Sequence, residues 1–403
     1  MADAGRRRTG GPSRPARPAA RPADDAARPA RSTGRTARSG AYDALLRIDH
    51  DGAYANLLVP QIVGELPERE RPLATELAYG TTRMRRALDY AVDRFLMRPP
   101  PPELRTLLRL GAYQVLFTAI PPHAAVSETV ALAPPRLRGV TNAVLRRVVT
   151  GGEPVWPDDA TRLSYPDWLV QRFVAELGHD DALAALARMN EPPPVTVRAD
   201  GYVQDRSSTW VAELVEARSG QRVIDLCAAP GGKATAIADG TGAFVVAADR
   251  QRHRAVLVGH NVRRLGLDAV APLVADATRP PFRPGSADHV LLDAPCSGLG
   301  ALRRRPDARW RITAGDITEL AALQRRMLAA AWTLVRPGGT LTYSVCTMTA
   351  AESTDLDDPR WVAASRPGAP WRTVGRAARL LPQDADTDGM TVLGWVRTDA
   401  TDG

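Results

Sequence analysis

The sequence predicts an α/β protein in which a mostly parallel, twisted sheet with helices on both faces follows an all-α domain. Three observations point there. From about residue 201, short apolar runs rich in β-branched residues alternate with segments of helical periodicity, the pattern of a doubly wound sheet. Between residues 41 and 150, apolar residues recur at helical spacing with no strand-like alternation. The three cysteines, Cys227, Cys296 and Cys346, each stand at the end of an apolar run. In an open parallel sheet, ligands bind just past the carboxyl ends of the strands, so this pattern offers thiols at one rim. A free cysteine also packs readily as a small buried apolar group, which is the plainer account of any one of them alone.

Taken in order, residues 1–37 form a basic tail. Residues 1–40 hold ten Arg and three Asp, +7 of the chain's +8, so the other 363 residues sum to +1. Rich in Arg, Pro, Ala and Gly and without periodicity, the tail is predicted to be disordered. It suits phosphate binding without sequence preference and equally suits a solubilising role. The body must then meet any polyanion through local clusters, for which Arg83/Arg85/Arg86, Arg136/Arg138/Arg146/Arg147 and Arg303/Arg304/Arg305/Arg309/Arg311 are the candidates. A solvated face is the commoner role of any one such cluster.

Residues 38–150 read as a small helical bundle. Tyr42, Leu45, Leu46, Ile48, Leu57 and Leu58 mark apolar faces; Leu104, Leu107, Leu108, Leu110, Tyr113 and Leu116 mark another; Pro99 to Pro102 force a break. Residues 151–200 read as a linker with one helix, Trp168 to Met189, stopped at Pro192 to Pro194. Over residues 201–403 the predicted strands are Arg222–Leu226, Phe244–Ala248, Ala271–Val274, Asp288–Asp293, Thr340–Val345 and Thr391–Val396. The clearest helix opens on a capping-box pattern, Asp316-Ile-Thr-Glu319, runs to Leu334 and stops at Pro337-Gly-Gly.

Composition excludes several classes. No run of about 18 apolar residues exists to span a membrane, and the N-terminus has no apolar signal-peptide core. The cysteine spacing fits neither a disulfide framework nor a zinc site. A monomer in a reducing cytoplasm, binding no metal and no membrane, is the expectation.

The loop Cys227-Ala-Ala-Pro-Gly-Gly-Lys233 follows the first strand. It is neither the dinucleotide fingerprint nor a Walker A loop. A Gly pair before a helix still lets backbone N–H groups approach an anion. Asp249 ends the next strand, 24 residues after Asp225, a spacing that suits ribose hydroxyls. Asp276 follows the third strand. A ligand with adenosine and a carboxylate rather than a pyrophosphate fits, namely S-adenosyl-L-methionine. Of the 53 basic residues, 52 are Arg and the one lysine is Lys233 in this loop. An ammonium is a compact charge with a tunable pKa, so this position is a candidate for needing an amine.

Asp293-Ala-Pro-Cys-Ser-Gly and Tyr343-Ser-Val-Cys-Thr, behind Asp225-Leu-Cys-Ala-Ala-Pro-Gly-Gly-Lys, resemble the RNA cytosine-5 methyltransferases, and most of all the Sun/Fmu (RsmB) family of 16S rRNA methyltransferases. Glu76-Leu-Ala-Tyr-Gly-Thr-Thr-Arg, Leu110-Gly-Ala-Tyr-Gln-Val-Leu, Pro122-His-Ala-Ala-Val and Thr141-Asn-Ala-Val-Leu-Arg-Arg resemble that family's NusB-like RNA-binding domain. Gly201-Tyr-Val-Gln-Asp-Arg-Ser-Ser resembles the segment that leads into its catalytic core. The resemblance spans about residues 38–397.

The resemblance implies a Rossmann-like methyltransferase domain over residues 201–403. It implies S-adenosylmethionine contacts from Cys227, Ala228, Ala229, Pro230, Gly231, Gly232, Lys233, Asp249, Asp276 and Asp293. It assigns attack on C6 of cytosine to Cys346 and a role in product release to Cys296. Asp293 would bind N3 and the exocyclic amine. Lys233 would place positive charge near the thiolate and Asp293, and an ammonium favours a neighbouring thiolate. The implied partner is RNA, either 16S rRNA or a small-subunit assembly intermediate. A tRNA cytosine-5 methyltransferase and a non-catalytic RNA-binding or assembly factor are the rival readings. Two departures from the family stand out. The several tens of residues expected between Val197-Arg-Ala-Asp200 and Gly201 are nearly absent. After Cys346, the family's Pro-Glu-Glu-Asn and helix are replaced by Ala350-Ala-Glu-Ser353.

Overall fold

The computed structural model describes residues 35–398. Most of the basic tail predicted over residues 1–37 lies outside them; its last residue, Ala37, already opens a helix. The helical part comprises α1 (Ala37–His50), α2 (Ala55–Gly64), α3 (Arg71–Arg83), α4 (Arg85–Asp93), α5 (Pro102–Phe117), α6 (Pro122–Leu132) and α7 (Pro135–Gly151). Thr36 starts it with a capping box, its side chain accepting from Ser39 N at 3.2 Å. The periodic leucines do what their spacing predicts: Leu104, Leu107, Leu108 and Leu110 of α5 are buried in one core with Leu45, Leu77, Leu88 and Leu145. Each such side chain contributes about 1.5–3 kcal/mol of burial. The predicted break at the proline run is present, between α4 and α5.

The next segment is packed helix rather than extended linker. It forms α8 (Asp159–Arg162), α9 (Asp167–Leu177) and α10 (His179–Arg188). The single helix expected over Trp168–Met189 is broken at Gly178, whose φ of +82° ends one helix and starts the other. Apolar residues continue at helical spacing across that glycine, which is why periodicity alone joined the two halves. Leu169, Phe173, Leu186 and Met189 share a core with Leu299, Leu302 and Met348, so these helices brace the loops that follow the central strands.

The last part runs α11 (Arg206–Glu213), β1 (Arg222–Asp225), α12 (Gly232–Thr241), β2 (Phe244–Asp249), α13 (Arg252–Leu265), β3 (Val270–Val274), β4 (Ala287–Asp293), α14 (Ala314–Leu334) and β5 (Val335–Val345). It then continues through β6 (Val362–Ala363), β7 (Arg372–Val374), β8 (Ala377–Leu380), α15 (Pro382–Ala385) and β9 (Met390–Val396). The sheet order is β3-β2-β1-β4-β5-β9-β8-β7, with β6 also on β9. Neighbours from β3 to β5 are parallel, and β9, β8 and β7 add antiparallel. The α/β class and every predicted strand are present. The strand order reverses between β1 and β4, the switch point at which open α/β sheets bind ligands.

Two local expectations are corrected. The capping box of α14 is Thr313 with Asp316, not Asp316 with Glu319. Thr-x-x-Asp and Asp-x-x-Glu both fit the pattern one turn apart, and the earlier one caps. Pro337-Gly-Gly does not end α14 in a loop. The chain enters β5 directly at Val335, and the Pro-Gly-Gly makes a bulge that shifts the register between Ala287 and His289. No helix among the described residues is long and apolar enough to cross a membrane.

The arginine clusters divide sharply. Arg83, Arg303 and Arg309 are buried at 3%, 1% and 0% exposure, so they are not a polyanion surface. They join the helical part to the segment between β4 and α14. Arg309 lies 3.8 Å from the Tyr165 ring centroid and donates to Asn190 Oδ1 at 2.8 Å and to the carbonyls of Arg83 and Ser164. Burial pushes its guanidinium down to about 10. Trp310 Nε1 donates to the Thr82 carbonyl at 2.9 Å. Arg136, Arg138, Arg146 and Arg147 stay exposed on α7.

Candidate active site

The site is assembled where β1, β2, β4 and β5 end. After β1, Ala228 N donates to the Ala248 carbonyl at 2.8 Å, which folds the loop back against β2. Gly231, at φ +107°, then delivers the chain into α12. A Cβ on Gly231 would stand 3.2 Å from Val258, and one on Gly232 would stand 2.9 Å from Gln204 Nε2. The Gly pair therefore forms a tight cradle at a helix N-terminus. Arg254 donates to the Ala229 carbonyl at 2.9 Å and pairs with Asp249 at 3.4 Å, tying the loop to the end of β2.

Three carboxylates face this region in different states. Asp225 is 1% exposed; its Oδ1 accepts from Cys227 N at 3.3 Å, and its Oδ2 has no partner among the described residues. Burial, and then the charge of Asp293, raise it to about 7. Asp249 is 3% exposed and accepts from Gln251 N at 2.9 Å. Asp276 is less buried, and hydrogen bonds from Thr278 N and Oγ1, each 2.8 Å, hold it below the usual carboxylate range. A cradle of backbone N–H groups with an orphaned buried carboxylate oxygen fits a ligand that brings its own hydroxyls and amine.

The chemistry-bearing groups meet beside the cradle. Asp293 ends β4 opposite Ser344 of β5. Its Oδ1 accepts from Ser344 Oγ at 2.7 Å and its Oδ2 from Lys233 Nζ at 2.7 Å. Burial alone would lower Lys233, but Asp293, with help from Cys346 and Asp225, raises it, so the ammonium is kept. Cys296 Sγ and Cys346 Sγ stand 3.4 Å apart. The bond to Cys346 and then burial hold the Cys296 thiol well above its ordinary range. Burial, Asp225 and Asp293 push the Cys227 thiol up as well, which favours its protonated form. The candidate catalytic and cofactor-binding residues thus lie at the carboxyl ends of strands β1 to β5 or in the turns and helix start that follow them.

Two elements escaped sequence reasoning. Glu352 is 0% exposed and buckles the Cys296 loop into place: Ser297 N donates to Oε1 at 2.7 Å, and Ser297 Oγ and Thr349 Oγ1 donate to Oε2 at 2.6 and 2.9 Å. It is the acid of the Ala350-Ala-Glu-Ser departure, and being the lone charge in an otherwise neutral stretch was its only signal. Glu352→Gln exchanges an acceptor-only group for one that presents donors to donors. It is expected to cost about 1–3 kcal/mol, read as a lower midpoint in urea unfolding; an unchanged midpoint would discount the buckle. The second element is a hairpin at the other departure. Val197 bridges Val203 antiparallel, and Arg198 reaches over to donate to the Gly232 carbonyl at 2.5 Å and Thr235 Oγ1 at 3.1 Å. A short turn therefore grips the first turn of α12, where Lys233 resides.

Comparison with known proteins agrees with this anatomy. Residues 212–392 match the family described as 16S rRNA methyltransferase RsmB/F, and residues 35–150 match the NusB family. The chain is 33% identical over 411 residues to the ribosomal RNA small subunit methyltransferase B of Sodalis glossinidius, covering 86% of this chain and 94% of that one. It is 38% identical over 346 residues to the protein of the same name from Thermus thermophilus, covering 77% and 84%. It is 36% identical over 388 residues to a putative methyltransferase of Mycobacterium tuberculosis, covering 78% and 84%. The solved structure of PH0851 superposes with a TM-score of 0.72 at 21% identity over 91% of this chain and all of its own, which shows a shared fold.

Proposed function

We propose a reaction on this premise: the chain belongs to the RsmB/F family of 16S rRNA methyltransferases and depends on S-adenosylmethionine. It methylates C5 of a cytosine in 16S rRNA. The observation that carries this reading is the pair of thiols 3.4 Å apart at the ends of adjacent strands, beside the Lys233–Asp293 pair.

The loop Cys227 to Lys233, with Asp249, Asp276 and Asp293, holds S-adenosylmethionine, which supplies an electrophilic methyl group when bound. C5 of cytosine is too weak a nucleophile to take that methyl unaided. Cys346, as thiolate, adds to C6 and gives C5 enamine character. Lys233 orients Asp293, whose carboxylate accepts a hydrogen bond from the exocyclic amine of the ring. After methylation, a base removes the C5 proton and the C6–S bond breaks. The C5–H electron pair forms the C5=C6 bond, Cys346 leaves as a thiolate, and the Cys296 thiol 3.4 Å away stabilises that thiolate by a hydrogen bond.

The test uses the full chain, labelled S-adenosylmethionine and protein-free 16S rRNA, with cytosine-5 mapping of the product. Label at C5 of a cytosine is the expected result. No label, or label on a ribose or an exocyclic nitrogen, would refute it.

A further inference from the structure

We propose that Arg305 binds a phosphate of the RNA backbone next to the target nucleotide. This rests on the RNA methyltransferase reading above and adds a contact to it. Five arginines crowd residues 303–311, and four are consumed by the protein itself. Arg303 donates to the carbonyls of Glu191 and Pro192 and pairs with Asp386. Arg304 bridges Asp205 and Asp388 at 2.7 and 3.0 Å. Arg309 is the buried junction residue. Arg311 pairs with Asp307 at 3.1 Å and donates to the carbonyls of Gly52 and Ala53.

Arg305 is the exception. It is exposed, and its side chain has no hydrogen bond or ion pair among the described residues. Its backbone is nevertheless anchored, with N donating to the Ala301 carbonyl at 3.3 Å and its carbonyl accepting from Ala308 N at 3.0 Å. The chain between Gly298 and Arg305 doubles back, so that Arg305 Nη1 lies 3.9 Å from where a Cβ of Gly298 would be. Gly298 is two residues beyond Cys296. A free guanidinium on a fixed stem therefore overhangs the loop of one active-site thiol.

The chemistry selects the ligand. A guanidinium offers a planar fork of donors that matches phosphate oxygens. Enzymes that act on a base must draw it out of its stack, and the extruded nucleotide brings its phosphates to the rim of the pocket. Of the cations the site itself uses, Lys233 is spent on Asp293 and Arg254 on Asp249 and the Ala229 carbonyl. Arg305 is the free guanidinium beside the Cys296 loop. An exposed side chain that merely meets solvent is the opposing account.

The experiment measures binding of protein-free 16S rRNA to the full chain, Arg305→Ala and Arg305→Lys over a series of salt concentrations, with methyl-transfer kinetics alongside. For Arg305→Ala, the slope of log affinity against log salt is expected to flatten by about 0.7 to 0.9, the loss of one phosphate contact. KM for RNA should rise about fivefold to tenfold, with S-adenosylmethionine affinity and melting temperature unchanged. Arg305→Lys should keep the slope and recover only part of the affinity. An unchanged slope in Arg305→Ala would overturn the proposal, as would a loss confined to cofactor binding. The salt series reads out even when the wild-type protein transfers no methyl group. In that case the RNA methyltransferase reading fails separately.

Discussion

Cys346→Ala loses methyl transfer to 16S rRNA by roughly 10⁴-fold or more, the scale seen when a covalent nucleophile is removed. The variant should still bind S-adenosylmethionine, because Cys346 lies just past the end of β5 and not in the cradle formed by Gly231 and Gly232. Cys296→Ala should behave differently. Its partner can still attack, since Lys233 and Asp293 are untouched. What is lost is the thiol 3.4 Å from the departing sulfur, so the protein–RNA adduct should accumulate and survive denaturing electrophoresis. Substantial activity in Cys346→Ala would sink the assignment of the attacker. Adduct in Cys346→Ala but not in Cys296→Ala would exchange the two roles.

Gly300→Ala, a change of one methyl group, is expected to cost about 3 kcal/mol or more, the upper end of overpacking in a well-filled interior. A Cβ there would stand 2.2 Å from the Gly389 carbonyl oxygen and 3.0 Å from that of Cys346. Both obstacles are backbone, and both are tied down: Gly300 N donates to the Cys346 carbonyl at 2.9 Å and Gly389 N to the Gly300 carbonyl at 2.9 Å. No side chain can swing away. The loop after β4 must separate from the loop after β5, which carries Cys346. Stability and activity should therefore fall together, read from urea unfolding and from turnover, with cofactor affinity less affected. A variant within about 1 kcal/mol of wild type would show that the two loops have slack that this packing denies.

What was legible in the sequence was what depends on neighbours along the chain. The strands from Arg222 to Val396 were visible because their apolar, β-branched runs reflect burial on both faces. The rim followed, because residues at strand ends share one edge in any parallel sheet. The misses have a common cause. Gly178 divides two helices by a single dihedral that the apolar spacing does not register. Arg83 and Arg309 look like surface charge in sequence, since an arginine does not announce whether carbonyls or water will satisfy it. Glu352 acts on Ser297, 55 residues away, and β6 to β8 are too short to carry a pattern. The hairpin at Val197–Val203 was recognised only as missing chain, not as the grip on α12 that the remaining residues make.

The solitary lysine has an experimental consequence. In this chain of 403 residues, Lys233 is the sole side-chain amine, and it joins the Gly-rich loop after β1 to Asp293 at the end of β4. Protein grown with isotope-labelled lysine would carry one labelled residue, so a single magnetic resonance signal would watch the active site with no assignment step. Ligand arrival, deprotonation and adduct formation would each be seen by a probe that evolution, by using arginine everywhere else, has left without background.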